Sequence, residues 1–249
     1  MLTQERYRTI LDLLNKQNAV TVTELAALME TSESTIRRDL NALAKEGRLN
    51  KVFGGATSIK RTSGVMEEKL AVRESIMVEE KNRIALYASR LIYDDDLVYI
   101  DSGTTTALLA EHIDNKKATY VTNGVAQAQR LVRKGLNVYI IGGRIKPITE
   151  AAVGAEALRS IENFNFTKAF LGTNGIDLEA GFTTPDIEEA LVKRKATEKA
   201  YTSFVLSDSS KFRVVSAITF SDLSRCCIIT DKITDRAFAE KTVIKEVLQ

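Results

Sequence analysis

Two short amphipathic helices that nearly adjoin along the chain most constrain what this sequence can fold into. The apolar stripe of one predicted helix ends at Met29, and Ser32 can cap the next, so only Glu30 and Thr31 lie between them. Helices joined by so short a connection must pack at a steep angle. The sequence therefore predicts a helix-turn-helix near its N-terminus.

The helix after this turn is predicted to begin at Ser32 and to end before Gly47. Ile36, Leu40 and Leu43 recur at helical spacing and are expected to face the core. Hydroxyls near the helix start suit phosphate oxygens, and arginine and asparagine can pair with guanine and adenine in the major groove. The side chains predicted on this helix to bind DNA are Ser32, Ser34, Thr35, Arg37, Arg38 and Asn41.

Two further helices are predicted before this one. Thr3 begins the first, whose apolar stripe includes Ile10 and Leu14, and Thr23 is predicted to cap the second.

A basic hairpin is predicted directly after the third helix. Residues 48–56 suggest two short strands that turn at Gly54-Gly55, with Arg48 and Lys51 near a phosphate backbone. Residues 34–57 carry five basic and two acidic side chains, net +3, whereas residues 1–33 are net −2. Positive charge is thus gathered on one segment, as binding to DNA requires.

A family resemblance rests on these residues. The run SESTIRRDL at 32–40, followed by Gly54-Gly55-Ala56, resembles the N-terminal winged helix of DeoR-type bacterial regulators of sugar metabolism. The resemblance covers the whole first domain. It implies a transcriptional repressor whose partner is double-stranded operator DNA.

The remainder of the chain is predicted to form a second domain. Residues 58–66 are polar at their start and lack apolar periodicity, so they are interpreted as a linker between a DNA-binding domain at 1–57 and an effector-sensing and oligomerisation domain at 67–249. Strands and helices alternate there, which predicts an α/β fold with a doubly wound parallel sheet. The predicted strands are Leu97–Ile100, Ala118–Thr122, Leu136–Ile141, Lys168–Gly172, Ser203–Ser207 and Cys226–Thr230.

Polar residues follow five of the predicted strands. In such sheets ligands bind beyond the carboxyl ends of the strands, so these residues are expected to share one rim. Their hydroxyls, amides and N–H groups suit an anionic, hydroxylated ligand, with Arg144 and Lys211 as counter-charges for a phosphate. The predicted effector-binding residues are Asp101, Ser102, Gly103, Thr104, Thr105, Thr106, Asn123, Gly142, Gly143, Arg144, Asn174, Asp177 and Lys211.

The resemblance extends into this region through the segments DSGTTT, VTNG, GTNGID and DSSKF. They look like the DeoR-type effector domain, which is similar in fold to ribose-5-phosphate isomerase, glucosamine-6-phosphate deaminase and CoA transferases. The resemblance implies a phosphorylated sugar as effector. The chain is most similar in overall look to fructose-operon repressors, so fructose 1-phosphate is the first candidate. Tagatose 6-phosphate and other sugar phosphates stay open.

Two alternative functions are an isomerase-like enzyme acting on sugar phosphates and a DNA-binding protein that senses nothing. Asp101 and Lys211 could serve as acid–base groups, but the single histidine, His112, lies within a predicted helix, where a solvent-exposed or packing role is expected. The sequence contains no HExxH, nucleophile-elbow or Walker motif. We therefore expect no catalysis, no cofactor and no metal.

Composition and the N-terminal residues bear on where the protein is expected to work. Hydrophobic residues make up 44% of the chain, but no stretch reaches the roughly 20 apolar residues of a membrane span. The N-terminus does not resemble a signal peptide, and Cys226 and Cys227 are predicted to be buried core thiols, as in a reducing cytoplasm. One helix-turn-helix offers little DNA contact, so a homodimer or homotetramer on symmetric half-sites is expected.

Overall fold

The computed structural model describes residues 2–17, 19–58, 61–62 and 70–247. The chain divides into two compact units, Met1–Arg61 and Thr62–Gln249. The division falls inside the predicted linker at 58–66, of which residues 59, 60 and 63–66 lie outside the described residues.

The first unit is a three-helix bundle with a small antiparallel sheet. Its strands are hydrogen-bonded in the order β1-β3-β2. Ile36, Leu40 and Leu43 are fully buried, together with Ile10 and Leu14, as their spacing predicts. The elements are α1 (Thr3–Gln17), β1 (Ala19–Thr21), α2 (Val22–Leu28), α3 (Glu33–Lys45), β2 (Asn50–Val52) and β3 (Gly55–Thr57).

Both predicted ends of α3 are confirmed. Ser32 is the N-cap, and its hydroxyl accepts the backbone N–H of Thr35 at 3.2 Å. Gly47 follows the helix with a φ of 68°, a left-handed conformation that glycine adopts without strain. The N–H of Arg48 then reaches back to the carbonyl of Leu43 at 2.9 Å, which closes the last turn.

The predicted cap of α2 was wrong. Thr21, not Thr23, caps the helix: its hydroxyl accepts the N–H of Glu24 at 3.2 Å, and its own N–H donates to the Glu24 carboxylate at 2.9 Å. This reciprocal capping box satisfies two donors at once, which a cap at Thr23 could not do.

The hairpin forms after α3, but its turn lies one residue earlier than predicted. Val52 pairs with Gly55, so Phe53 and Gly54 form the two-residue loop. Gly55 instead begins β3, where a β-carbon would overlap the carbonyl oxygen of Val20 on β1. The two adjacent glycines therefore meet different demands: Gly54 has a φ of 80°, and Gly55 permits close strand approach.

The second unit contains a parallel seven-stranded sheet in the order β17-β16-β13-β10-β5-β6-β7. Its elements, with a short strand leading in, are β4 (Arg61–Thr62), α4 (Leu70–Glu74), α5 (Val78–Ser89), β5 (Leu97–Ile100), α6 (Thr104–His112), β6 (Thr119–Thr122), α7 (Val125–Arg133), β7 (Asn137–Ile140), β8 (Arg144–Ile145), β9 (Ala152–Val153), α8 (Ala155–Glu162), β10 (Phe166–Gly172), β11 (Gly175–Asp177), β12 (Gly181–Thr184), α9 (Ile187–Glu198), β13 (Ala200–Leu206), β14 (Val214–Val215), β15 (Ile218–Ser221), β16 (Cys227–Thr230) and β17 (Ile244–Glu246).

Helices cover both faces of this sheet. Val98 and Ile100 of β5 pack with α5, α6 and α7, whereas Tyr99 between them packs with α8 and α9. The strand order reverses between β5 and β10, because the chain proceeds outward from β5 in one direction and later returns to build outward in the other. The predicted fold class, a winged helix plus a doubly wound parallel sheet, is confirmed.

Several short elements were not predicted. The strands β11, β12 and β15 form a separate antiparallel sheet, and β8 pairs with β9. These strands have two to four residues, so they are too short to show the apolar alternation by which strands are recognised. Within the described ranges, no helix is both long and apolar enough to cross a membrane.

The two cysteines differ in exposure. Cys226 is buried and Cys227 is partly exposed, and both are free thiols. Burial raises the pKa of Cys226 to about 11 and also raises that of Cys227, so both stay protonated at neutral pH. The prediction of buried thiols is therefore confirmed for Cys226 and only in part for Cys227.

We expect Gly55→Ala to destabilise the first unit by about 1–3 kcal/mol, because the new methyl group must displace the β1 backbone. Gly142→Ala is the matched control, since no atom lies within 4 Å of its β-carbon position. Thermal unfolding of both variants, followed by circular dichroism, tests this. Equal stability of Gly55→Ala and the wild type would contradict the close approach of β3 to β1.

Candidate DNA interface and effector cleft

The exposed face of α3 carries the side chains predicted to bind DNA. The predicted residues Ser32, Ser34, Arg37, Arg38 and Asn41 are exposed, and Thr35 is partly exposed. Glu33, which was not predicted to bind DNA, is exposed beside them. The buried side holds Asp39 as well as the apolar stripe, and Asp39 accepts two hydrogen bonds from the guanidinium of Arg6 on α1, at 2.7 and 3.2 Å. This ion pair fixes α3 against α1 and leaves the opposite face open to a partner.

The two arginines of α3 have different surroundings. Arg37 forms an exposed ion pair with Glu33, one turn earlier, at 3.0 Å. Thr23 also donates to Glu33, and these two hydrogen bonds lower the pKa of that carboxyl. Arg38 forms no ion pair with any residue in the described part of the chain. Its guanidinium is therefore available to a partner without displacing a carboxylate.

The start of α3 presents a cluster of hydroxyls. The Ser32 hydroxyl lies 2.8 Å from that of Ser34 and 2.9 Å from that of Thr35. They surround the first backbone N–H groups of the helix, where the helix dipole favours an anion.

The hairpin of β2 and β3, hereafter the wing, belongs to the same unit. Arg48 precedes it and contacts Glu46 at 3.3 Å in an exposed ion pair, and Lys51 lies exposed on β2. Such exposed pairs contribute at most about 1 kcal/mol, so DNA phosphates can compete for these cations.

A cleft in the second unit lies at the reversal of strand order. It is bordered by the carboxyl ends of three adjacent strands, β5, β10 and β13, and by α4, α5 and α9. Such a reversal separates the loops on either side and leaves a crevice for a ligand. The lining residues are Arg73, Ile76, Lys81, Ser102, Gly103, Thr104, Thr105, Gly172, Thr173, Asn174, Glu189, Lys193, Leu206, Ser207, Asp208 and Lys211.

The loop from β5 into α6 is held from behind. The amide oxygen of Asn123, at the end of β6, accepts the N–H of Ser102 at 2.9 Å, and its amide nitrogen donates to the Ser102 hydroxyl at 3.2 Å. The buried hydroxyl of Thr106 donates to the carbonyls of Asp101 and Gly103. Asn123 and Thr106 therefore shape the loop, and Thr104 and Thr105 line the cleft at the start of α6.

One side of the cleft is cationic. Arg73 of α4, Lys81 of α5 and Lys211 beyond β13 all line it. The Nε and Nη2 atoms of Arg73 are buried without a hydrogen-bond partner in the described structure. Burial lowers the pKa of Lys81, and the neighbouring charges of Lys211 and Arg73 lower it further, while Asp208 opposes them. An anion placed here would relieve both costs.

The floor of the cleft contains a buried ion pair. Lys193 of α9 contacts the Asp101 carboxylate, and the same carboxylate oxygen accepts the N–H of Gly172 at 2.9 Å. The other carboxylate oxygen of Asp101 is buried and has no partner in the described structure, and the hydroxyl of Tyr99 is in the same state.

Glu189 brings a second carboxylate to the cleft, one helical turn before Lys193. Its Oε1 atom accepts hydrogen bonds from Lys146 at 2.9 Å and from Thr149 at 2.6 Å. Lys146 also contacts Asp186, the N-cap of α9, at 3.1 Å. These contacts fix the Glu189 side chain where the cleft meets α9.

The structure brings together some of the predicted effector-binding residues and separates others. Asp101 lies beneath the lining residues. Asn123 and Thr106 also lie there, and they hold the loop that follows Asp101. The predicted residues that line the cleft are Ser102, Gly103, Thr104, Thr105, Asn174 and Lys211. Those that do not are Asp101, Thr106, Asn123, Gly142, Gly143, Arg144 and Asp177.

Two of these residues have other local contacts, and two follow a strand that is not adjacent to the reversal. Asp177 accepts the N–H groups of Glu179 and Ala180, both at 3.0 Å, and so closes the turn between β11 and β12. Arg144, on β8, forms an ion pair with Glu188. Gly142 and Gly143 follow β7, the edge strand of the sheet. β6 lies between β7 and β5, the strand at the reversal.

The sequence interpretation missed several lining residues, above all Arg73, Lys81, Glu189 and Lys193. For Lys81 a signal existed: it lies at helical spacing before Ile84 and Ala85, so a lysine occupies the buried stripe of α5. Arg73 lies on the five-residue helix α4, which is too short to be recognised by periodicity.

The described residues hold no group of three His, Cys, Asp or Glu side chains that could bind a metal ion. His112 ends α6, and its Nε2 atom lies 2.8 Å from the Asn82 amide oxygen in an exposed contact with α5.

Comparison with known proteins identifies both units. Residues 6–62 match the DeoR-like helix-turn-helix domain, and residues 76–232 match the DeoR C terminal sensor domain. Among solved structures, the chain is similar to ribose 5-phosphate isomerase A of Methanocaldococcus jannaschii, at 14% identity, with 53% of each chain covered and a TM-score of 0.40.

Full-length relatives give the same assignment. The chain is 40% identical to the uncharacterized HTH-type transcriptional regulator FruR of Bacillus subtilis, over 99% of both chains. It is 31% identical to the HTH-type transcriptional repressor GlcR of the same organism, over 96% of this chain and 93% of that one. It is 30% identical to the lactose phosphotransferase system repressor of Streptococcus mutans, over the whole of both. The chain therefore belongs to the DeoR family, and it is a DNA-binding transcriptional repressor of sugar metabolism rather than an enzyme.

Proposed function

We propose that this repressor leaves its operator when a phosphorylated sugar binds the cleft of the sensor unit. The observation that carries the proposal is the set of three cations, Arg73, Lys81 and Lys211, beside the start of α6. The buried guanidinium nitrogens of Arg73 lack a partner in the described structure, which is a costly state that an anionic ligand would relieve.

The phosphate group is proposed to bind between these cations and the loop at 102–105. Thr104 and Thr105 offer hydroxyls and backbone N–H groups at the positive end of the α6 dipole. Lys81 donates to the carbonyl of Arg73, which ties the two cations to one another. The lining side chains carry four positive charges, on Arg73, Lys81, Lys193 and Lys211, and two negative ones, on Glu189 and Asp208.

The hydroxyls of the sugar are proposed to contact the acceptor oxygens that line the same cleft. Asn174, Asp208 and Glu189 offer amide and carboxylate oxygens there. Asp208 is already fixed, because it accepts the N–H of Ser210 at 3.1 Å. A cleft lined by both cations and acceptor oxygens suits a sugar that carries a single phosphate. Fructose 1-phosphate is our first candidate, supported by the 40% identity to a regulator named FruR.

The operator is proposed to bind the exposed face of α3 and the wing. Arg38 and Asn41 would contact base edges in the major groove, and the Ser32, Ser34 and Thr35 hydroxyls would contact phosphate oxygens. Arg37 would leave its ion pair with Glu33 and contact DNA instead. Arg48 and Lys51 would contact the phosphate backbone beside the groove. A homodimer or homotetramer would place two such units on symmetric half-sites.

We expect Arg38→Ala to weaken operator binding by about 1–3 kcal/mol and to relax the preference for one base pair. The loss follows because Arg38 keeps no carboxylate partner in the described chain and can contact a guanine edge directly. Fluorescence anisotropy with an operator duplex, together with footprinting of the two half-sites, measures both effects. Arg8→Ala, an exposed arginine of α1, is the control. Unchanged affinity and base preference in Arg38→Ala would contradict the proposed interface.

For the effector, we expect fructose 1-phosphate at a hundredfold excess over its Kd to stabilise the full-length protein by about 2.7 kcal/mol. Arg73→Gln should weaken this binding by about 1.5–3 kcal/mol, because it removes a charged donor to the phosphate. Arg159→Gln, an exposed arginine of α8, should bind as the wild type does. Thermal unfolding with fructose 1-phosphate, tagatose 6-phosphate, fructose and inorganic phosphate provides the readout. If no sugar phosphate shifts the unfolding, the protein is not a sensor of this class.

The affinity for the effector should also decrease when the pH is raised into the alkaline range. The pKa of Lys81 is lowered by burial and by Lys211 and Arg73, and an anion favours its protonated form. Affinity should therefore be fully present at neutral pH and fall as the pH rises through the lowered pKa, below the ordinary lysine value of 10.5. Titration calorimetry from about pH 7.5, where the phosphate is already a dianion, measures this. Lys81→Arg should flatten the profile, and identical profiles would exclude Lys81 as the titrating group.

A further inference from the structure

The tip of the wing carries an aromatic side chain that the DNA-binding residues discussed so far do not include. Phe53 is 108% exposed, more than any other large hydrophobic side chain in the described structure, and its neighbour Val52 is 44% exposed. A phenylalanine left in water forgoes a large gain in free energy from burial, so this position favours a partner. Along the chain, Phe53 follows the basic residues Arg48 and Lys51 and directly precedes the loop residue Gly54.

The backbone that presents Phe53 is fixed. The carbonyl of Gly54 accepts the N–H of Val22, the first residue of α2, at 2.8 Å. Gly55 packs against the carbonyl of Val20, and β3 pairs with β1 along three residues. The two-residue loop is thus held at its base by two neighbouring elements. A rigid turn loses little entropy when its side chain enters a partner.

The surroundings of Phe53 favour a nucleic-acid partner over an apolar protein surface. Residues 34–57 carry a net charge of +3, with Lys51 two residues before Phe53 and Arg48 at the entry to the wing. The wing also follows α3, the recognition helix of a DNA-binding family. A polyanion whose grooves offer apolar sugar faces and stacked bases matches both the charge and the aromatic ring.

We propose that Phe53 is an apolar wedge that enters the minor groove beside the major-groove site of α3 and opens one base step. Apolar side chains inserted in this way partly unstack two base pairs and bend the duplex, most readily at flexible pyrimidine–purine steps. The wing would then add a preference for deformable sequence that no hydrogen bond to a base provides. This inference rests on the proposed position of the wing against the DNA backbone.

The test uses the full-length protein and a duplex selected from a random pool by the wild type, labelled at both ends for energy transfer. Phe53→Ala should bind roughly tenfold more weakly and bend the duplex less. Phe53→Leu should retain most of the affinity and the bend, because leucine also serves as a wedge. Phe53→Lys adds a charge to the tip and should still lose the bend. Leu2→Ala, which removes another exposed apolar side chain of the unit, is the control.

The outcomes separate this inference from the proposed interface. If Arg38→Ala weakens binding while Phe53→Ala binds and bends as the wild type does, the wedge is wrong and the interface stands. If both variants match the wild type, the interface itself is wrong. If Phe53→Ala lowers the oligomeric mass measured by light scattering without DNA, Phe53 contacts a second copy of the chain, which also overturns the wedge. Because Phe53 is fully exposed, the thermal midpoint of Phe53→Ala should equal that of the wild type.

Discussion

The ion pair of Asp101 and Lys193 is the contact on which the sensor unit most depends. Asp101 directly follows β5, Lys193 belongs to α9, and the N–H of Gly172 at the end of β10 donates to the same carboxylate. One buried carboxylate thus joins the two strands at the reversal of strand order to the helix that covers them. Removing one partner would leave an uncompensated charge in the interior, which is far more costly than never having placed the pair there. These contacts hold β5, β10 and α9 together at the floor of the cleft. The floor is thus held in place by its own contacts, while the cations that line the cleft remain available to a ligand.

The sequence was sufficient to predict the elements that are long or strongly patterned. Leu97–Ile100 was predicted with the bounds that the structure has, and Ser32 and Gly47 were predicted at the ends of α3. These features are local, because a cap, a left-handed glycine or an apolar run requires only neighbouring residues. The capping box at Thr21 was missed because two nearby threonines, at 21 and 23, both precede Glu24 and both resemble a helix start.

The effector cleft was predictable only in part for a different reason. Residues at strand ends can be recognised from turn chemistry, but their order in the sheet cannot, and that order decides which ends are neighbours. β7 is an edge strand, so Gly142 and Gly143 lie apart from β5, whereas β10 and β13 lie next to it on the other side. Arg73 and Lys81 arrive from helices that precede the sheet, and nothing local in those helices shows that they will cover the carboxyl ends. Asp177 closes the turn after β11, and an aspartate that closes a turn has the same sequence signature as one that binds a hydroxyl.

The ion pair between Arg37 and Glu33 bears on how the repressor finds its operator. A chromosome offers a vast excess of unrelated duplex, and every unpaired cation on the DNA-facing surface increases the time a repressor spends there. Glu33 neutralises one arginine whenever no better partner is in place and adds a carboxylate that phosphates repel. Because the pair is exposed, opening it would cost little if a matching site offered Arg37 a partner, as proposed above. In the proposed interface Glu33 would thus act against retention on the wrong sequence, and it would contribute to selectivity by weakening the attraction that all sequences share.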